Sequence, residues 1–272
     1  MEKKVIILTG ASSGIGYQTA EMLARQGHIV YGAARRVEKM DALKQFGVKT
    51  LQMDVTIEES VDKAVKAIIA AEGCIDVLVN NAGYGSFGAI EDVSIAEARN
   101  QFDVNIFGAA MLTKKVLPHM RKQHSGTIIN ISSMGGRLTL YFGAWYHATK
   151  YALEAFSDAL RMETKGFGIN VTIIEPGGIK TPWSFIAADH LEESSKGGAY
   201  EEQAKKVAEG LRKLYSGNMM SSPEVIAKVI SRATNARHPK ARYLIGFGAK
   251  PLIFLHTILP TRWFDFIMMH IS

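Results

Sequence analysis

The stretch VIILTGASSGIG, Val5–Gly16, passes from an unbroken aliphatic run into a turn carrying Gly10, Gly14 and Gly16. The run is short and apolar at every position, as in a strand buried on both faces. From Ile15 to Gln26 the apolar residues instead recur at helical spacing. The unit is therefore strand, glycine turn, helix. Glycines let such a turn bend tightly and bring its backbone close to a ligand, and the helix that opens there aims unpaired N–H groups at an anion. The spacing GxxxGxG departs from the common GxGxxG dinucleotide fingerprint. Read alone, the turn leaves open both a pyrophosphate cradle and a purely structural bend.

The same alternation continues outward from this unit. HIVYGAA (28–34) reads as a second strand and VKTLQMD (48–54) as a third, with helices from Val37 to Phe46 and from Glu58 to Ala71. DVLVNNAG (76–83), GTIINISS (126–133) and GINVTIIEPGG (168–178) supply three more strands, and ARYLIG (241–246) a seventh. Long helical patterns run from Ile95 to Gln123 and from Tyr146 to Lys165. Short apolar strands alternating with helices imply a parallel sheet covered on both faces. The expected fold class is α/β, a Rossmann-type doubly wound parallel sheet of about seven strands in a single domain over residues 1–272. In such sheets ligands bind beyond the carboxyl ends of the strands. Ser12, Asp54, Asn81, Ser133 and Thr181 all follow strands and are expected to converge there.

Composition narrows the function. An apolar fraction of 47% with 21% charged residues is that of a globular protein, and no linker or low-complexity tract divides the chain. The one cysteine, Cys74, cannot pair within the chain, and the eight histidines show no zinc spacing, so no metal and a cytoplasmic location are expected. The apolar run after Lys3 and Lys4 ends at a glycine turn without a small-residue cleavage site, which reads as a first strand rather than a signal peptide. The net charge of +6 is spread over isolated residues and pairs, without a basic tract, so no nucleic-acid partner is expected.

The end of the second strand speaks to the cofactor. An NAD site commonly places a carboxylate there on the ribose 2′-hydroxyl. This chain has Ala34, Arg35 and Arg36, with no acid until Glu38. Guanidinium groups suit a 2′-phosphate, so NADP(H) is expected over NAD(H), with Arg35 as main contact and Ser12 or Arg36 assisting. The competing reading makes both arginines a solvated helix entrance. Asp54 suits the adenine amino group, with the backbone of Val55 alongside, and equally suits a cap for the following helix.

YHATK places Tyr146 and Lys150 on one helical face, four residues apart. A phenol titrating near 10 is a poor proton shuttle at neutrality unless positive charge lowers it. Such pairs also arise by chance, so the order of motifs matters more. TGxxxGIG, NNAG (Asn80–Gly83), Asn105 in the next helix, NISS, YxxxK and PGG, in that order over roughly residues 3 to 182, resemble the short-chain dehydrogenase/reductase family. Ser133 lies thirteen residues before Tyr146, the family's spacing for its catalytic serine, and is chosen over Ser132.

The resemblance implies a catalytic set of Asn105, Ser133, Tyr146 and Lys150. Tyr146 would protonate the oxygen of a reduced ketone or act as base in the reverse oxidation, and Ser133 would polarise the carbonyl. Lys150 would hold the nicotinamide ribose and depress the tyrosine pKa, while Asn105 would position a water linking Lys150 to solvent. The cofactor would rest on Gly10, Ser12, Ser13, Gly14, Ile15 and Gly16. Asn81, Ala82 and Gly83 would line its adenosine side, and Pro176, Gly177, Ile179 and Thr181 its nicotinamide side. His147 faces differently from Tyr146 and is left out. The resemblance also implies a homodimer or homotetramer, formed through the helices at 95–123 and 146–165.

The last third is less explicit. Trp183, Phe185, Ile186, Leu214, Met219 and Met220 suggest a mobile apolar lid over about 180–222, hinged at Gly197, Gly198 and Gly217. With Met134, Leu138, Leu140 and Trp145 they point to a lipophilic alcohol or ketone, in keeping with the branch holding steroid and retinol dehydrogenases. The apolar segment 249–272 puts Phe264, Ile267, Met268 and Ile271 on one helical face, for burial on the protein, a partner subunit or, least favoured, a membrane surface. Two other functions compete: a non-catalytic NADP(H)-binding sensor or scaffold, which needs no proton relay, and a nucleotide-sugar epimerase, which the glycine spacing disfavours.

Overall fold

The computed structural model describes residues 2–271, the side chains of residues 270 and 271 excepted. All seven expected strands form: β1 (Val5–Thr9), β2 (Ile29–Ala34), β3 (Lys49–Gln52), β4 (Val77–Asn80), β5 (Gly126–Ile131), β6 (Ile169–Pro176) and β7 (Arg242–Ile245). They build one parallel sheet in the order β3-β2-β1-β4-β5-β6-β7. The order reverses between β1 and β4, which opens a crevice at their carboxyl ends.

Alternation along β1 splits the core into two layers. Ile6 and Leu8 pack with Ala20 and Leu23 of α1 (Gly14–Arg25) and with Ile226 and Ile230 of α8 (Pro223–Asn235). Val5 and Ile7 face the other way. They meet Val61, Val65 and Ile68 of α2 (Glu58–Glu72), Leu112 and Val116 of α4 (Gly108–Gln123) and Leu160 of α5 (Ala144–Thr164). Both faces are covered, which is why these strands carry apolar residues at every position.

The helix expected over 95–123 is interrupted. α3 (Ile95–Phe102) passes through a π turn at Asp103–Phe107 before α4 begins. The segment from Val37 to Phe46 is helical but wound as 3-10 turns. The expected lid is mostly regular. α6 (Trp183–Ser195) and α7 (Glu201–Ser216) form a hairpin whose contact is small-sided, through Ala187, Ala188, Ala204 and Ala208 with Leu191. Arg212 braces it with bonds to Glu192 at 2.8 Å and Asp189 at 2.7 Å.

The apolar tail is two helices, α9 (Ala249–Ile258) and α10 (Thr261–Ile271), broken before Pro260. Ile253, Phe264 and Met268 are buried on Leu138, and Ile267 is half-buried. The side chain of Ile271 lies outside the described residues. The opposite faces expose Phe254, Ile258, Trp263, Phe266 and Met269. No helix among the described residues is long and apolar enough to cross a membrane.

Candidate active site

A cleft of about 380 Å³ runs along the carboxyl edge of the sheet. Its floor is set by the β1–α1 turn, where Gly10 and Gly14 take left-handed φ of 69° and 54°. A Cβ on Gly10 would come within 2.8 Å of the Asn81 side-chain nitrogen, and one on Gly16 would overlap the Gly10 carbonyl oxygen. Thr9 and Asn81 clasp the ends of β1 and β4: the Asn81 and Ala82 N–H groups donate to Thr9 Oγ1 at 3.0 and 2.9 Å, and Asn81 Nδ2 donates to the Thr9 carbonyl at 2.9 Å.

Ser12, Ser13, Gly14 and Ile15 line the cleft, and Ser13 makes no side-chain cap to the helix it opens. The first turn of α1 holds no acid, so its N–H groups and the helix dipole are left for an anion. Arg35 and Arg36 line the same cleft, exposed and without an ion pair among the described residues. A cradle that admits no Cβ and an uncapped helix end fit the pyrophosphate of a dinucleotide.

Asp54 also reaches the cleft, but it does not cap α2, whose N-cap is Ile57. Its Oδ1 accepts from the Thr56 N–H at 3.0 Å and the Thr56 hydroxyl at 2.8 Å, a local turn that fixes its orientation. Val55 lies beside it on the wall, as do Asn81, Ala82 and Gly83 across the cleft and Pro176, Gly177, Ile179 and Thr181 beyond β6.

At the other end, Tyr146 and Lys150 begin a stripe on α5 that continues through Leu153, Ser157, Leu160 and Thr164, all buried. Helical spacing thus turns both polar groups inward with the core-facing side chains. Tyr146 is 8% exposed and lies against Trp183 and Phe87, with ring centroids 4.9 and 5.9 Å away. Lys150 donates to the Ile131 carbonyl at 2.9 Å, its Nζ 5.8 Å from the Tyr146 ring. Ser133 caps a short 3-10 turn (Met134–Gly136) and accepts from the Gly135 N–H at 3.0 Å.

Burial sets the electrostatics of this end. It pushes the Tyr146 phenol up, against the pull of the Ser133 hydrogen bond, with Tyr215 adding to the rise. The expected depression by Lys150 is therefore not what governs the phenol in this state. Burial also lowers Lys150, to about 8, with Glu154 opposing.

Two expected site residues are not on the cleft wall. Gly16 lies behind it, where the missing Cβ lets α1 approach β1. Asn105 sits in the π turn with its side chain fully engaged: Oδ1 accepts from the Tyr84 N–H at 3.0 Å, and Nδ2 donates to the Tyr84 carbonyl at 2.9 Å and Thr149 Oγ1 at 3.0 Å. It pins the chain after β4 to α5, and its Oδ1 and Lys150 Nζ both lie beside Gly83, where a Cβ would come within 3.0 and 3.8 Å of them. Of the expected substrate wall, Met134, Leu140, Trp183 and Ile186 line the cleft. Leu138 and Met220 are buried elsewhere, Phe185, Leu214 and Met219 are exposed, and Trp145 is off the wall.

Other residues escaped the sequence reading. Asn80 donates to Asn130 Oδ1 at 2.9 Å and Thr113 Oγ1 at 3.1 Å, and Asn130 donates to Ser157 Oγ at 2.8 Å, a buried polar ladder joining β4, β5 and α5. Alternation was the available signal, since Asn80 and Asn81 must face opposite ways. His147 accepts the Leu140 N–H on Nε2 at 3.0 Å, which leaves Nδ1–H to donate to the Gly135 carbonyl at 2.9 Å. It fastens the loop that follows Ser133.

A buried phenol and amine delivered to the same crevice as a pyrophosphate cradle mark the class of nucleotide-dependent oxidoreductases. The short chain dehydrogenase profile matches residues 4–189, and the chain belongs to that family, whose members interconvert alcohols and carbonyls with a nicotinamide cofactor. A probable short-chain type dehydrogenase/reductase of Helicobacter pylori, VdlC, is 37% identical over 95% of this chain and 94% of its own length. A 3-ketodihydrosphingosine reductase of Bacteroides thetaiotaomicron is 37% identical over 90% of this chain and 89% of its own. The crystal structure of a short-chain dehydrogenase from Streptomyces avermitilis superposes with a TM-score of 0.80 at 35% identity, covering 94% of this chain and 93% of that one.

Proposed function

We propose that the protein is an NADP(H)-dependent oxidoreductase of lipophilic secondary alcohols and ketones. The observation that carries this reading is the pairing of the Tyr146 phenol with Ser133 inside a chamber walled by Phe87, Met134, Leu140, Trp183, Ile186 and Leu211. Such walls suit an apolar substrate, and the sphingoid ketone named for the Bacteroides relative is of that kind.

Gly10, Ser12, Ser13, Gly14 and Ile15 hold the pyrophosphate, Arg35 with Arg36 the 2′-phosphate, Asp54 and Val55 the adenine. Asn81, Ala82 and Gly83 contact the adenosine side, and Pro176, Gly177, Ile179 and Thr181 the nicotinamide side. When bound, the nicotinamide supplies or accepts the hydride. Ser133 Oγ donates a hydrogen bond to the substrate oxygen. Tyr146, kept protonated by its burial, gives its phenolic proton to that oxygen in reduction and takes it back in oxidation. Lys150, lowered to about 8, exchanges a proton near neutrality, where an ordinary amine would stay charged. Phe107, Tyr151 and Met162, exposed around α4 and α5, support a homodimer or homotetramer through those helices. A cytoplasmic site of action fits the single unpaired cysteine.

The test is NADPH and NADH consumption with long-chain, steroid and retinoid ketones. Tyr146→Phe is expected to lower turnover by about 10²–10⁴-fold with cofactor affinity intact; wild-type rates in that variant overturn the reading. Ala34→Asp with Arg35→Ala is expected to shift preference from NADPH to NADH, and an unchanged ratio counts against the 2′-phosphate site.

A further inference from the structure

Most polar side chains at the substrate end of the cleft are already committed. The Tyr84 phenol donates to Glu97 Oε1 at 3.0 Å, and both ring nitrogens of His147 are bonded within the loop after Ser133. The indole edge of Trp183 is turned to Gly85, where a Cβ would overlap it. Ser133 and Tyr146 flank the reacting oxygen in the reading above.

Tyr215 is different. It stands on the last turn of α7 and lines the same chamber, with no hydrogen bond among the described residues. Tyr215 and Tyr146 line the same cleft, and Tyr215 adds to the rise of the Tyr146 phenol. Three residues before it, Arg212 ties α7 to α6, so the phenol is carried on a braced helix rather than a loose loop. Tyr215 is half-buried, and its hydroxyl has no protein partner among the described residues, so it can bond a ligand without breaking an internal hydrogen bond.

We propose that Tyr215 is a second polar anchor for the substrate, which carries a further hydrogen-bonding hydroxyl or amine a few atoms from the reacting carbon. The inference rests on the oxidoreductase reading and names the substrate class within it: lipophilic hydroxy- or amino-ketones and the matching diols or amino alcohols. Simple ketones lack the group that satisfies Tyr215. They leave it to water and gain nothing from it.

The experiment compares long-chain aliphatic ketones bearing or lacking a hydroxyl one or two carbons from the carbonyl. Equilibrium binding to the NADPH complex and steady-state turnover are both measured, in the wild type and in Tyr215→Phe. The wild type is expected to bind a hydroxyketone about fivefold more tightly than its plain counterpart, as one neutral hydrogen bond allows. Tyr215→Phe should erase that margin through KM while leaving the plain ketone and NADPH unaffected, which a merely structural role would not do. Equal preference in the two proteins, or a loss shared by both ketones, overturns the anchor; so does failure of every hydroxyketone to bind. A margin that depends on Tyr215 without any turnover would uphold the anchor and overturn the oxidoreductase reading instead.

Discussion

Glu154 lies one turn beyond Lys150 on α5, nearly sealed from solvent, with Arg242 Nη2 3.0 Å from its carboxylate. Glu175 on β6 is fully buried, 3.4 Å from Arg242 Nε and 3.6 Å from Arg137 Nη1. Burial lifts Glu154 from 4.5 to about 7, with the neighbouring Glu175 adding to the rise, and Glu175 is raised as well. A carboxyl held above its unfolded value contributes stability that is whole below about pH 4.5 and lost as the pH climbs through about 7. Glu154→Gln should therefore flatten the decline of melting temperature across that window, on the order of 2 kcal/mol. Melting curves at several pH values check it; an unaltered slope removes Glu154 as the cause. At this scale Tyr146, Lys150 and Ser133 were legible because each stands at a fixed spacing in a motif. Asn105 was legible as a position but not as a set of bonds, and Tyr215 left no trace, being one tyrosine in an amphipathic helix.

Between residue and fold, two elements depend on single side chains. The π turn at Asp103–Phe107 lets Asn105 face Tyr84, and widened turns of this kind recur where function needs a side chain redirected. Asn105→Ala leaves the Tyr84 N–H and carbonyl without those bonds, for an expected loss of about 1–3 kcal/mol. The urea midpoint should fall with the slope of the transition unchanged. At the β1–α1 turn, Gly16→Ala drives a methyl into the Gly10 carbonyl, and about 1–3 kcal/mol of overpacking should lower the midpoint further than Gly27→Ala, whose Cβ meets nothing. If the two variants melt alike, close packing is not what Gly16 provides; the left-handed φ of Gly27 makes the comparison a demanding one. The sequence shows strands and long helices through their periods. It conceals the π turn, because one extra residue shifts the apolar phase without erasing it.

For the molecule as a whole, the strand order and the crevice follow from the alternation of elements, whereas the last third does not. Aromatic and methionine residues there suggested a lid, but the α6–α7 contact is built on alanines, which carry little pattern. The tail is apolar on both faces, so the stripe of Phe264, Ile267 and Met268 was legible but the point where α9 ends and α10 begins was not. Its inner face covers Leu138 beside Met134 and Leu140, and the latter two line the substrate end of the cleft. Deletion after Gly248 should raise KM for the ketone more than for NADPH and lower the melting temperature. Unchanged kinetics in a folded truncation would separate the tail from the cleft.

The clasp between Thr9 and Asn81 joins positions 72 residues apart. Adjacent strands in space are thus distant in the chain, and closing so long a loop precedes any reward from the contacts it makes. A ribosome that has released only β1, α1 and β2 has made the glycine turn but not the neighbour that holds it open. Competence to grip a nucleotide waits for the fourth strand, so a chain stalled before it carries the phosphate motif without its function.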